Sequence, residues 1–158
     1  MLTIARPACL ALTVLISGQC MAAEFSRFLN CAGQLSANGK GKAATLDLAM
    51  RDNSAIALIQ RSNVLPVGER LKYVATPMSY TMLYKLPLPG TRYYNDWVHG
   101  QWLVWQPNLK RLATIRIAID RQTAELEGEL LDFNDESLGT LAMDCKPMTL
   151  EDMPEPKL

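Results

Sequence analysis

Between Arg111 and Cys145 the sequence alternates in polarity with a period of two residues, in three consecutive runs separated by polar turns. That period sends successive side chains to opposite faces of a β-strand, and a helix does not tolerate it. In the first run Ala113, Ile115, Ile117 and Ile119 fall on one side, and Leu112, Thr114, Arg116 and Ala118 on the other. Asp120-Arg121-Gln122-Thr123 reads as a turn. Ala124, Leu126, Gly128 and Leu130 then alternate with Glu125, Glu127 and Glu129, which predicts one dry and one wet face. After Asn134-Asp135-Glu136-Ser137, the residues Gly139, Leu141, Met143 and Cys145 share a side, so Cys145 points with the apolar set.

A partner for Cys145 emerges from the other end of the chain. Arg6, the apolar run from Ala8 to Ile16 and the small residues Ala22 and Ala23 have the order of a secretory signal peptide, predicted here over residues 1–22. The apolar run is too short to span a bilayer. Lipid attachment at Cys20 is disfavoured by Gln19, since such processing wants a small residue there. Removal of the leader takes away Cys9 and Cys20. Cys31 and Cys145 remain, in a chain bound for the periplasm or the exterior, and are expected to form one disulfide. Residues 23–146 are expected to make one antiparallel β domain, and 147–158, rich in proline and charge, a flexible tail.

Further strands follow from the same pattern. Phe25 to Leu35 places Leu29, Cys31, Gly33 and Leu35 on one side, and Asn38-Gly39 marks a hairpin turn. Its lysines lack the Gly-Lys-Ser/Thr ending of a phosphate-binding loop, because Ala43 follows Lys42. Residues 43–61 read as a hairpin, Thr45–Met50 and Ala55–Gln60, turning at Arg51-Asp52-Asn53-Ser54; as a helix they would bring Leu46, Met50 and Ala57 together. Leu65-Pro66-Val67-Gly68 breaks the chain. Arg70–Thr76, Ser79–Leu86 and Gln101–Gln106 are strands by composition. The fold class is therefore all-β and mostly antiparallel: a single-domain β-sandwich or small β-barrel of about eight strands, with one disulfide between first and last.

Composition narrows function by exclusion. Sixteen basic and sixteen acidic residues balance, which gives no electrostatic case for nucleic acid or an anionic membrane surface. The single histidine, His99, lies three residues from Asp96, yet no nucleophile motif accompanies it, and a loop histidine is the simpler reading. Asp132, Asn134 and Glu136 share the opening spacing of a calcium loop, but Ser137 and Met143 stand where glycine and glutamate are required. No cofactor or metal is expected. The row Glu125, Glu127 and Glu129 reads as a solvated strand face that discourages pairing with other chains.

The densest feature is aromatic: Tyr93, Tyr94, Trp97, Trp102 and Trp105 crowd one stretch. Large, stiff rings of this kind anchor interfaces or stack on ligands, and in a core they simply fill space. The binding residues expected from sequence are Tyr93, Tyr94, Trp97 and His99, in a loop from Pro87 to Gly100. The functional expectation is an exported, non-catalytic binding protein, an inhibitor or immunity-type factor whose partner is a toxin, hydrolase or envelope component. The alternative is a carrier of an apolar or sugar ligand inside a barrel.

Overall fold

The computed structural model describes residues 25–86, 111–149 and Asp152. These form one sheet of eight strands: Arg27–Ala37 (β1), Lys40–Arg51 (β2), Ile56–Ser62 (β3), Arg70–Ala75 (β4), Ser79–Lys85 (β5), Leu112–Asp120 (β6), Glu125–Asp132 (β7) and Ser137–Pro147 (β8). Each strand pairs antiparallel with the next, and β8 pairs with β1, so the sheet closes into an up-and-down barrel rather than a sandwich. Closure removes the two exposed edges that an open sheet would leave. Residues 43–61 are a hairpin, and no α-helix occurs among the described residues.

The turns have local causes. Asn38 and Gly39 both adopt positive φ, 52° and 71°, the geometry that lets a two-residue turn follow the right-handed twist of its strands. At the β6–β7 turn the Asp120 carboxylate accepts the amides of Gln122 and Thr123 at 2.7 and 2.9 Å. The β7–β8 turn is built the same way: Asp132 Oδ1 accepts from Asn134 and Glu136 at 2.8 and 3.0 Å, while Arg111 reaches Oδ2 at 2.9 Å. The spacing of Asp132, Asn134 and Glu136 thus belongs to a turn that holds itself together with its own amides.

Inward positions are filled by side chains. Leu35, Leu46, Leu48, Met50, Ile59, Met82, Ile115, Ile117, Leu126, Leu130 and Leu141 are all fully buried, as an eight-stranded barrel of this width requires. Val64 and Leu65, in the β3–β4 connection, join that core, held by the Ser62 hydroxyl, which accepts both of their amides at 2.9 Å. Leu65 belongs to the core rather than to a mere chain break. Glycine permits the tightest approach: a Cβ on Gly33 in β1 would lie 2.1 Å from the Ala142 carbonyl oxygen of β8.

Departures from strict alternation correct the sequence expectation, Leu112 and Asp47 among them. Leu112, expected on the outward side with Thr114 and Arg116, is buried because a bulge between Leu112 and Thr114 turns it inward. Asp47 points outward from β2 yet is fully buried. Asn30 donates to its Oδ1 at 2.6 Å, and Arg61 approaches Oδ2 at 2.8 Å from beyond a bulge in the β2–β3 ladder. The first strand also starts at Arg27 and runs to Ala37, two residues later at each end than expected.

Candidate functional site: the barrel surface and its proximal mouth

The up-and-down order sorts the connections to two ends. The proximal end carries the start of β1, the turns at Asp52, Pro77 and Gln122, and the end of β8; the distal end carries Asn38-Gly39, the β3–β4 connection and the Asp132 turn. The chain leaves β5 through Leu86 and re-enters β6 through Arg111, both distal. Tyr93, Tyr94, Trp97 and His99, together with Trp102, Trp105 and the strand expected over Gln101–Gln106, lie outside the described residues. So do residues 1–22 and most of 147–158. Cys31 and Cys145 are joined by a disulfide across the β1–β8 ladder, where they stand as direct partners.

Outside the barrel, β6, β7 and β8 present two cross-strand rows: Arg116, Glu129 and Thr140, then Ala118, Glu127 and Ala142. The alanines flanking Glu127 are short where their neighbours are long, and the difference leaves an open hollow of about 410 Å³ with Gly128 and Leu141 in its floor. A second hollow, about 220 Å³, shares Ala118 and Glu127 and continues toward Asp120, Glu125 and Met78. Arg116 pairs with Glu129 at 3.1 Å, both half exposed, so the other charged groups lining the two hollows, Glu127, Asp120 and Glu125, are acidic. Glu125, Glu127 and Glu129 are therefore an outward row, as the alternation implied. Charged groups outside and apolar groups inside are the reverse of a barrel that faces lipid. Among the described residues no helix is long and apolar enough to cross a membrane.

At the proximal mouth, five side chains distant in sequence converge. Tyr73 in β4 donates to Asp52 Oδ1 at 3.0 Å and lies 3.2 Å from the Arg51 carbonyl oxygen. Arg27 in β1 donates to the Tyr80 hydroxyl and approaches Asp52 at 3.4 Å. The Tyr73 and Tyr80 rings meet edge to face, centroids 5.4 Å apart. Arg27 and Arg121 both lie over the Tyr80 ring, at 5.4 and 4.9 Å from its centroid. Between them is a cavity of about 230 Å³, also bounded by Ala55 and Ala75.

The protonation states of this mouth follow from its geometry. Burial, then the hydrogen bond to Asp52 and that carboxylate's charge, push Tyr73 from 10.0 up to about 12. It is a neutral donor at any physiological pH, which is the wrong poise for a general base. The sequence assigned none of the five to a site, although it placed Asp52 and Arg121 in turns. Each looks ordinary in its own strand or turn, and one signal existed, the Asp120-Arg121 turn entry, which puts a cation where a hairpin ends. Among the described residues no three histidine, cysteine or carboxylate side chains gather as metal ligands. Compared with known proteins, the chain matches no family model, no curated protein and no solved structure.

Proposed function

We propose that this chain is an exported, non-catalytic binding protein that works through the outside of a solid barrel, with another protein as its partner, in the manner of an inhibitor or immunity-type factor. The observation that carries this reading is the filled interior. Leucine, isoleucine and methionine occupy inward positions along the barrel, and Val64 and Leu65 of the β3–β4 connection add to that core. A carrier needs an enclosed volume of several hundred Å³ for a ligand. Three cavities bounded by described residues lie instead on the outer face of β6–β8 and at the proximal mouth. The carboxylates with the clearest environments, Asp120 and Asp132, accept turn amides, which supports a structural role for them rather than a catalytic one.

The hollow over Glu127 is the contact surface we assign within the described residues, because it combines concavity with an apolar floor. The test is an envelope-extract pull-down run in parallel with the wild type and Ala142→Trp. Ala142 is exposed, so the indole fills the hollow without entering the core. A stable heterocomplex formed by the wild type and lost in Ala142→Trp at unchanged melting temperature supports this reading. Trp97→Ala in the same assay tests the aromatic contact residues Tyr93, Tyr94, Trp97 and His99 expected from sequence. A copurified small ligand in a native mass spectrum, with no heterocomplex, would overturn the reading in favour of the carrier.

A further inference from the structure

We infer that the proximal mouth is a binding site for a small carboxylate. The argument rests on donors left over after the mouth's internal hydrogen bonds are made. Arg121 gives one N–H to the Thr76 carbonyl oxygen at 2.7 Å and stacks over Tyr80; among the described residues it meets no carboxylate. Tyr80 accepts from Arg27, so its own hydroxyl proton points elsewhere, and no acceptor for it stands among the described residues. Arg27 has Asp52 at 3.4 Å, longer than a close charge-assisted contact, and Asp52 is already shared with Tyr73 and Ser26.

Charge and shape select the ligand. Among the described residues that line the cavity, two guanidinium groups flank one ring and one carboxylate answers them, so this lining carries an excess of one positive charge. A monoanion cancels it, whereas a dianion overshoots and meets Asp52. The fork of Arg121 matches the two oxygens of a carboxylate. Ala55 and Ala75 offer a short apolar wall, and about 230 Å³ holds a carboxyl group with a small hydrocarbon body. The site is distinct from the hollow over Glu127, so it stands or falls independently of the protein-binding reading.

The experiment titrates the disulfide-intact protein, labelled with ¹⁵N, with propionate, benzoate, inorganic phosphate and chloride at matched ionic strength. Saturable amide shifts are expected around Thr76, Tyr80 and Arg121, with a Kd on the order of 1 mM or below for the carboxylates and weaker binding of phosphate and chloride. Arg121→Gln should weaken carboxylate binding about tenfold or more, and Arg121→Lys should recover part of it, because charge returns without the fork. Tyr80→Phe keeps the ring, removes only the hydroxyl, and should weaken binding several-fold even if Arg121→Gln fails to fold. Lys40→Gln, an exposed cation at the distal end, should leave carboxylate binding unchanged. The inference is overturned by shifts that do not saturate, by phosphate binding as tightly as propionate, or by undiminished binding in the Arg121 and Tyr80 variants.

Discussion

Cys31 and Cys145 face one another as direct cross-strand partners in the β1–β8 ladder, their Cα atoms 4.0 Å apart although 114 residues separate them in sequence. The disulfide therefore ties the same seam that closes the barrel. Its removal restores loop-closure entropy to the unfolded chain, a loss of about 4–5 kcal/mol in the chain-entropy model. Against a typical total of roughly 5–15 kcal/mol, that is a large fraction. The expected result for the Cys31→Ala/Cys145→Ala variant is a much lower denaturation midpoint with the same strand content in circular dichroism. An unchanged midpoint would show that the β1–β8 hydrogen bonds alone hold the seam.

Tyr73 makes the protein sensitive to strong base. Its folded value, about 12, lies above the ordinary 10.0, so the folded state holds the phenolic proton more tightly. The corresponding stability is complete below pH 10.0 and disappears as pH rises through about 12. A shift of this size is worth roughly 2–3 kcal/mol at the end of the titration. Tyr73→Phe should lose about 1 kcal/mol near neutral pH, through the missing Asp52 hydrogen bond, yet fall less steeply with pH than the wild type above about pH 10. Parallel denaturation curves at neutral and high pH give the difference directly. Equal slopes for the two proteins would remove Tyr73 from the alkaline transition.

Asp132 acts at the opposite end of the pH scale. The amides of Glu136 and Asn134, and then the Arg111 guanidinium, hold its carboxyl below the ordinary 3.8. A lowered carboxylate contributes stability that is present above the unfolded value and lost as pH falls through the folded one. Asp132→Ala should lower the melting temperature near neutral pH, and the gap from wild type should narrow as pH drops below 3.8. Melting curves across that range check it; a gap independent of pH would mean that the turn amides do not depend on the charge.

Gly33 is the position where a single methyl group does most damage. A Cβ there meets the Ala142 carbonyl oxygen at 2.1 Å and the Met143 Cα at 2.6 Å, both backbone atoms that no rotamer change relieves. Gly33→Ala should cost upwards of about 3 kcal/mol, the top of the range for overpacking. At Gly41 the nearest atom is the end of the Gln34 side chain, 3.1 Å away, which can swing aside. Gly41→Ala should change stability by less than about 1 kcal/mol. Denaturant titration of the pair compares them on one scale. Similar costs would show that β1 and β8 separate easily at this point.

Alternation by itself determined that the chain is all-β, which face of most strands is apolar, and that Ile115, Ile117, Leu126, Leu130, Leu141 and Met143 share a core. Turn chemistry at Asn38-Gly39 and at Asp52 located the first hairpins, and setting aside Cys9 and Cys20 as part of an expected leader paired Cys31 with Cys145. These features were legible because side-chain period and turn preference are local properties of the backbone. Closure was not. A period of two assigns a residue to a face, and both a sandwich and a barrel have one buried face; the choice depends on how strongly the sheet coils, which Gly33 and the bulges near Leu112 and Asp47 allow. The proximal mouth was hidden for the same reason. Arg27, Asp52, Tyr73, Tyr80 and Arg121 come from five separate strands and turns, and only the closed ring of antiparallel pairs brings their ends to one side, where guanidinium, phenol and carboxylate groups meet within hydrogen-bonding reach.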